Sequence, residues 1–208
     1  MNDQEGAVSI RIPGPVLYLL VLHAVIFLFT DSKINSQEHN YIMENWALCW
    51  KNIQEGSFRG LISYMFLHAD IEHFINNMLM LYVVGAIAEK KLNTVKFISV
   101  YLLSGISGGA FSAFHFMRSG NVVYSIGASA AVFGIVGASA AIILKDKRYG
   151  RIDFRKILLL IFVSLYGGFT AENVDNMGHI GGLIFGFVFT LIIYRTHNTK
   201  MSQNIEMR

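Results

Sequence analysis

Cysteine occurs once in this chain of 208 residues, at Cys49, so an intrachain disulfide is excluded. Proline occurs twice, and no repeat or low-complexity stretch divides the chain into modules. Charge is scarce as well: Asp, Glu, Lys and Arg make up 15% of the residues, against about 25% in soluble domains. There is no HExxH pattern and no Cys/His cluster, so no metal site is expected. Basic residues sit in short loops with no aromatic platform between them, which leaves no nucleic-acid surface. No small-x-small cleavage site follows the first apolar run, residues 15–30. That run therefore reads as a retained helix, not a signal peptide.

What the chain does have is apolar bulk. Residues of the apolar classes make up 53%, there are 16 Phe, and the mean hydropathy is +0.46. Besides residues 15–30, apolar runs cover about 71–88, 97–116, 129–144, 154–169 and 177–194. Each run is continuous, not alternating, which excludes a closed β-barrel. The expected fold class is an all-α membrane protein with six transmembrane helices. Residues 31–67 are too polar to span a bilayer. They carry Trp46, Trp50, Phe58 and Tyr64, the aromatics favoured at a lipid–water boundary, so short interfacial helices are expected there, with a solvated loop as the competing reading.

The loop charges orient such a bundle. With six spans, one side holds thirteen of the 17 basic residues: Arg11; Lys90, Lys91 and Lys96; six between 145 and 156; and Arg195, Lys200 and Arg208. The other side holds Lys33, Lys51, Arg59 and Arg118. By the positive-inside rule both termini are expected in the cytoplasm. The second, fourth and sixth helices then start on the outer side.

Strongly polar residues in spanning segments are costly and mark function. They gather at the starts of those three helices: Ser129 in the fourth, His179 in the sixth, and His73 and Asn77 in the second. Ser129 stands 16 residues before Lys145, and His179 stands 16 before Arg195. At about 1.5 Å per residue both lie roughly 24 Å above the cytoplasmic edge of a core about 30 Å thick. His73, 17 residues before Lys90, lies at about the same height. One hydrated pocket is expected to hold all three. Small-residue stripes, Ala130/Gly134/Ala138 and Gly178/Gly182/Gly186, would bring the fourth and sixth helices close enough for a Ser–His contact.

The chemistry of that set is acyl transfer. His179 as neutral imidazole would take the Ser129 proton and return it to a leaving amine. The Ser129 N–H, the His73 ring and the Asn77 amide would serve a tetrahedral oxyanion. A serine after a glycine at a helix start often only caps the helix, so the other polar residues decide its reading. No embedded Asp or Glu offers a third triad member. Asp175 and Glu172 read as solvated loop charges, His23 and His115 as packing or interfacial residues, and Glu89 as a structural hydrogen-bonding residue. His68 and His73, five apart, do not share a helical face.

Taken together these residues resemble the rhomboid family of intramembrane serine proteases. The likeness covers residues 58–194. Its pattern H-x-x-x-x-H-x-x-x-N stands as His68, His73 and Asn77, followed by Gly85 and Glu89. G-x-S-G stands as Gly127, Ala128, Ser129 and Ala130, and the late motif as His179 and Gly182.

The resemblance implies a six-helix bundle with a Ser129–His179 dyad and oxyanion help from His73 and Asn77. It implies Phe133 packed on the imidazole, a capping loop at 167–172, a fifth helix acting as lateral gate, and no cofactor. The partners implied are transmembrane protein substrates and the lipid bilayer, with no nucleic acid; the oligomeric state is left open. The division implied is a cytoplasmic segment 1–14, a membrane protease domain 15–195 and a cytoplasmic tail 196–208. The compact form implies a bacterial cytoplasmic membrane, with the site toward the outer face.

Two positions depart from the family pattern: Ala130 replaces a usual glycine, and Phe58-Arg59 replaces a usual Trp-Arg pair. The competing readings are a catalytically silent relative that binds transmembrane helices and a small transporter. Apolar inner halves of the fourth and sixth helices, 135–144 and 183–193, count against a transport route.

Overall fold

In a computed structural model, the described residues are 14–31, 37–146, 155, 159 and 174–195. The expected fifth helix, the capping loop at 167–172 and the two terminal segments lie outside them, apart from Gly14 and the two single positions. Among the described residues the structure is helical, with a single isolated bridge between Leu48 and Ser125.

Helix α1 is Pro15–Asp31. Its proline stands at the first helical position, where a missing N–H costs nothing. The polar stretch that follows folds as short pieces, as expected: α2 Gln37–Trp46, α3 Trp50–Gln54, α4 Gly60–Ser63 and a 3-10 turn Tyr64–Phe66. Then come α5 Ile71–Glu89, α6 Thr94–Ser119, α7 Ser129–Lys145 and α8 Asn176–Ile193. Three of these, α5, α6 and α8, are long and apolar enough to cross a membrane; α1 and α7 are shorter apolar helices. Large apolar side chains face outward, among them Leu28, Phe29, Leu79, Tyr82 and Ile192. Water would penalise so much exposed apolar surface, and lipid does not.

Helix α7 is the axis of the bundle. Every residue from Ala130 to Ile143 is buried. It runs parallel to α8, and the two touch backbone to backbone. A Cβ on Gly182 would collide with the Ala130 backbone, and one on Gly186 with the Gly134 backbone. One turn on along both helices the partners repeat, which is the small-residue stripe read from the sequence. Helix α6 joins at the same level: a Cβ on Gly108 would lie 2.8 Å from Ala130 Cβ and 3.2 Å from Gly182 N.

The far ends of α7 and α8 are held together too. Lys145 Nζ donates to the carbonyls of Leu191 and Tyr194, each at 2.8 Å, and Lys96 Nζ donates to Ile193 O at 3.1 Å. Cations at a helix C-terminus satisfy its free carbonyls and its dipole. Asp146, just past α7, pairs with Lys91 at 3.1 Å and accepts from Tyr194 Oη at 3.3 Å. Glu89 does the corresponding job at the start of α1, where its carboxylate accepts from Val16 N at 3.3 Å. That is the structural hydrogen bond expected of it.

Candidate functional site

The loop before α7 is fixed by the interfacial segment. Leu48 and Ser125 exchange both backbone hydrogen bonds at 2.9 Å, and Gly127 N donates to Tyr64 O at 2.9 Å. Trp50 Nε1 donates to Asn121 O at 2.8 Å. Tyr64, in turn, donates its hydroxyl to Gly105 O on α6 at 2.7 Å. Burial first, then the nearby Asp175 charge, pushes the Tyr64 phenol far above its usual range, so it stays a donor. The interfacial pieces thus form a frame that delivers Ser129 to the head of α7.

Gly127 makes the last turn. Its φ of 127° lies in the region that side chains rarely adopt. A Cβ there would also lie 2.7 Å from His73 Nε2 and 3.8 Å from Ser129 Oγ. The bare glycine is what leaves room for the His73 ring at the turn into Ser129. Ser129 is no cap: the capping position is Ala128, whose side chain makes no hydrogen bond, and Ser129 is the first helical residue. Its side chain is half-buried.

His73 is held from two directions. Asp70 caps α5 by accepting from His73 N at 2.8 Å. The ring Nδ1 accepts from Ala69 N at 3.4 Å, which assigns the proton to Nε2, the nitrogen that lies against Gly127. Asn77 lies one turn along α5. It is 7% exposed, and its amide donates to His73 O at 2.8 Å. That bond uses one of the two amide hydrogens of Asn77.

His68 precedes α5 instead of lying on it. For that reason it meets His73 after all, with ring centroids 5.3 Å apart in an edge-on contact. It is packed among His23, Phe27 and Phe74 as well. His23 is fully buried on α1 and shares a 2.7 Å hydrogen bond with the Tyr101 hydroxyl, a core role as expected. Among the described residues no cluster of His, Cys, Asp or Glu is arranged to hold a metal ion.

His179 is buried in the first turn of α8, and its ring lies flat on that of Phe133 from α7, 4.4 Å between centroids and 13° between planes. The parallel, touching helices carry Ser129 and His179 at the same end. No direct hydrogen bond joins the two side chains among the described residues. In resting sites such contacts are often long and tighten only around substrate. His179 Nδ1 is buried without a hydrogen-bond partner among the described residues, so among them no carboxylate binds this nitrogen directly.

Asp175 corrects the sequence reading. It is no solvated loop charge. Its carboxylate caps α8 by accepting from Gly178 N at 2.9 Å, and it also accepts from Ser125 Oγ at 2.9 Å and from Ser112 Oγ. An acidic residue four before a helix-opening histidine is a capping signal, and it marks Asp175 once the helix start is known. Ser112 and Ser125 carried no such signal, because their partner is distant in the chain.

The fold and the site define a helical integral membrane protein with a polar cluster set into one end of its central helix. The chain belongs to the rhomboid family: the rhomboid domain matches residues 55–196. It is 36% identical over 136 residues to rhomboid protease GluP of Bacillus subtilis, an alignment covering 65% of this chain and 26% of that protein. It is 34% identical over 154 residues to RHOMBOID-like protein 6, mitochondrial, of Arabidopsis thaliana, covering 71% and 48%. Rhomboid protease AarA of Providencia stuartii is 26% identical over 209 residues, covering 89% and 73%. The chain thus spans a quarter to a half of the length of the first two relatives.

Proposed function

We propose that the protein is an intramembrane serine endopeptidase that cuts transmembrane segments of other membrane proteins. Ser129 is the nucleophile and His179 the general base, then the general acid toward the leaving amine. The acyl-enzyme is released by water. His73 Nε2–H, the Asn77 amide and the Ser129 N–H stabilise the oxyanion. No cofactor or metal takes part. The bundle has six spans within residues 15–195, with 154–169 as the fifth, and residues 1–14 and 196–208 lie in the cytoplasm. The site faces the outer side of a bacterial cytoplasmic membrane.

The observation that carries this reading is the backbone contact of α7 and α8 at Ala130–Gly182 and Gly134–Gly186. With that contact Ser129 and His179 stand at the same end of the two helices, Phe133 lies flat on the imidazole, and Nε2 of His73 lies close against Gly127, two residues before the serine. The named proteases among the relatives point to the same activity. A silent helix-binding relative would need neither hydroxyl nor imidazole there. The test is cleavage of a fluorescent single-span peptide in proteoliposomes. Wild type is expected to cut it and Ser129→Ala to leave it whole; equal cutting by both overturns the reading.

A further inference from the structure

We propose that Asp175 is a positioning residue for the His179 imidazole, acting by locking the first turn of α8 to the loop that carries the nucleophile. The proposal rests on the Ser129–His179 reading above. Three elements end on this one carboxylate. Gly178 N, from α8, binds Oδ1 at 2.9 Å. Ser125 Oγ, four residues before Ser129, binds Oδ2 at 2.9 Å. Ser112 Oγ, from α6 and fully buried, binds the same oxygen. His179 N donates to Asp175 O at 3.2 Å, so the cap and the histidine share one helical turn.

The residue type fits the task. A carboxylate is acceptor-only, with room for about four hydrogen bonds, and here it accepts from one N–H and two hydroxyls. Serine or threonine could cap the helix but could not accept from all three donors. Asparagine could keep the cap through its one carbonyl oxygen and would turn its NH2 toward the hydroxyls.

Such a lock matters because Nδ1 of the ring finds no polar anchor among the described residues. Stacking on Phe133 fixes the plane of the ring. It does not fix the height of the ring relative to Ser129, which depends on the α7–α8 contact and on how the first turn of α8 is held. Ser125 is in turn paired with Leu48 through both backbone bonds, so the carboxylate refers the histidine to the same frame that positions the serine. Misplacing a reacting group by a fraction of an ångström to an ångström costs orders of magnitude in rate while leaving substrate binding alone.

The experiment uses the full chain in proteoliposomes with the fluorescent single-span peptide. Rates are normalised to sites titrated with a fluorophosphonate, and thermal midpoints are recorded in parallel. Asp175→Ala is expected to lower kcat per titrated site about tenfold with KM within about twofold, and Asp175→Asn, which keeps the cap, is expected to recover part of the loss. The Ser112→Ala/Ser125→Ala double variant leaves the cap on Gly178 intact and is expected to lose kcat as Asp175→Ala does. It decides the matter if Asp175→Ala does not fold. Unchanged kcat per site in the double variant, or a KM rise that accounts for the whole loss, overturns the proposal. A wild type no faster than Ser129→Ala overturns the protease reading, and the role of Asp175 with it.

Discussion

The ring of His179 lies parallel to that of Phe133, 13° from coplanar and 4.4 Å away, across the contact of two parallel helices. Phe133 stands one turn past Ser129 on the same helix, so the stack ties the orientation of the proposed base, His179, to the helix that bears the proposed nucleophile. Aromatic stacking of this kind contributes about 0.5–1.5 kcal/mol beyond simple burial. Phe133→Ala is expected to free the ring and to lower kcat about tenfold with little change in KM. Steady-state cleavage of a transmembrane peptide measures both. A KM rise with unchanged kcat would assign Phe133 to substrate binding instead.

The α6–α7–α8 crossing gives a packing prediction. A methyl on Gly186 has no room beside the Gly134 backbone, and one on Gly108 would press on Ala130 Cβ at 2.8 Å. The Ala130 methyl, which the family pattern usually lacks, fits because α6 presents a glycine opposite it. Gly108→Ala is therefore expected to destabilise by about 1–3 kcal/mol, as overpacked cores do, and Ala130→Gly to leave cleavage intact. Thermal midpoints of the two variants in detergent check this. Equal midpoints would mean that the crossing is looser than the backbone contacts imply.

The oxyanion assignments can be ranked. Asn77 spends one amide hydrogen on His73 O at 2.8 Å, while the His73 Nε2–H and the Ser129 N–H remain. Asn77→Ala is expected to reduce kcat by up to about a hundredfold, the lower end of what loss of one donor costs. Ser129→Ala and His179→Ala are expected to abolish turnover. Abolition by Asn77→Ala with an unchanged thermal midpoint would contradict this ranking.

Much of this arrangement was legible in the sequence, for definite reasons. Continuous apolar runs located α1, α5, α7 and α8 to within a residue at either end and α6 to within three, because lipid enforces length and composition together. The stripe Gly178, Gly182 and Gly186 is visible in one dimension and has one physical use, close approach. The contacts of Asp175 were not legible. A carboxylate in a loop looks solvated until the distant Ser112 and Ser125 are folded against it. The pairing of His68 with His73 was hidden for a similar reason: helical spacing says nothing about a residue in the turn ahead of the helix. The close approach of His73 to Gly127 depends on a positive φ that the sequence only permits.

His68 supplies a pH prediction. It is 6% exposed. Burial first, then the neighbouring His23 and His73, pushes it from its ordinary value of 6.5 down to about 3. The folded protein keeps this ring neutral, whereas the unfolded chain protonates it below pH 6.5. Its contribution to stability is thus full above that pH and is lost as pH falls from 6.5 toward 3. Between about pH 7 and pH 5 wild type is expected to lose more stability than His68→Phe, which removes the titrating group and keeps a ring. Denaturation midpoints at the two pH values test it. Parallel losses in both proteins would place the acid sensitivity elsewhere.

In the proposed mechanism the His179 imidazole makes the Ser129 hydroxyl nucleophilic at the head of two touching helices. The most direct measurement is fluorophosphonate labelling of the full chain, with the modified residue mapped by mass spectrometry. One phosphonylated residue, Ser129, is expected, and no labelling in His179→Ala of unchanged thermal midpoint. Labelling at another serine, or undiminished labelling of Ser129 without His179, would contradict it.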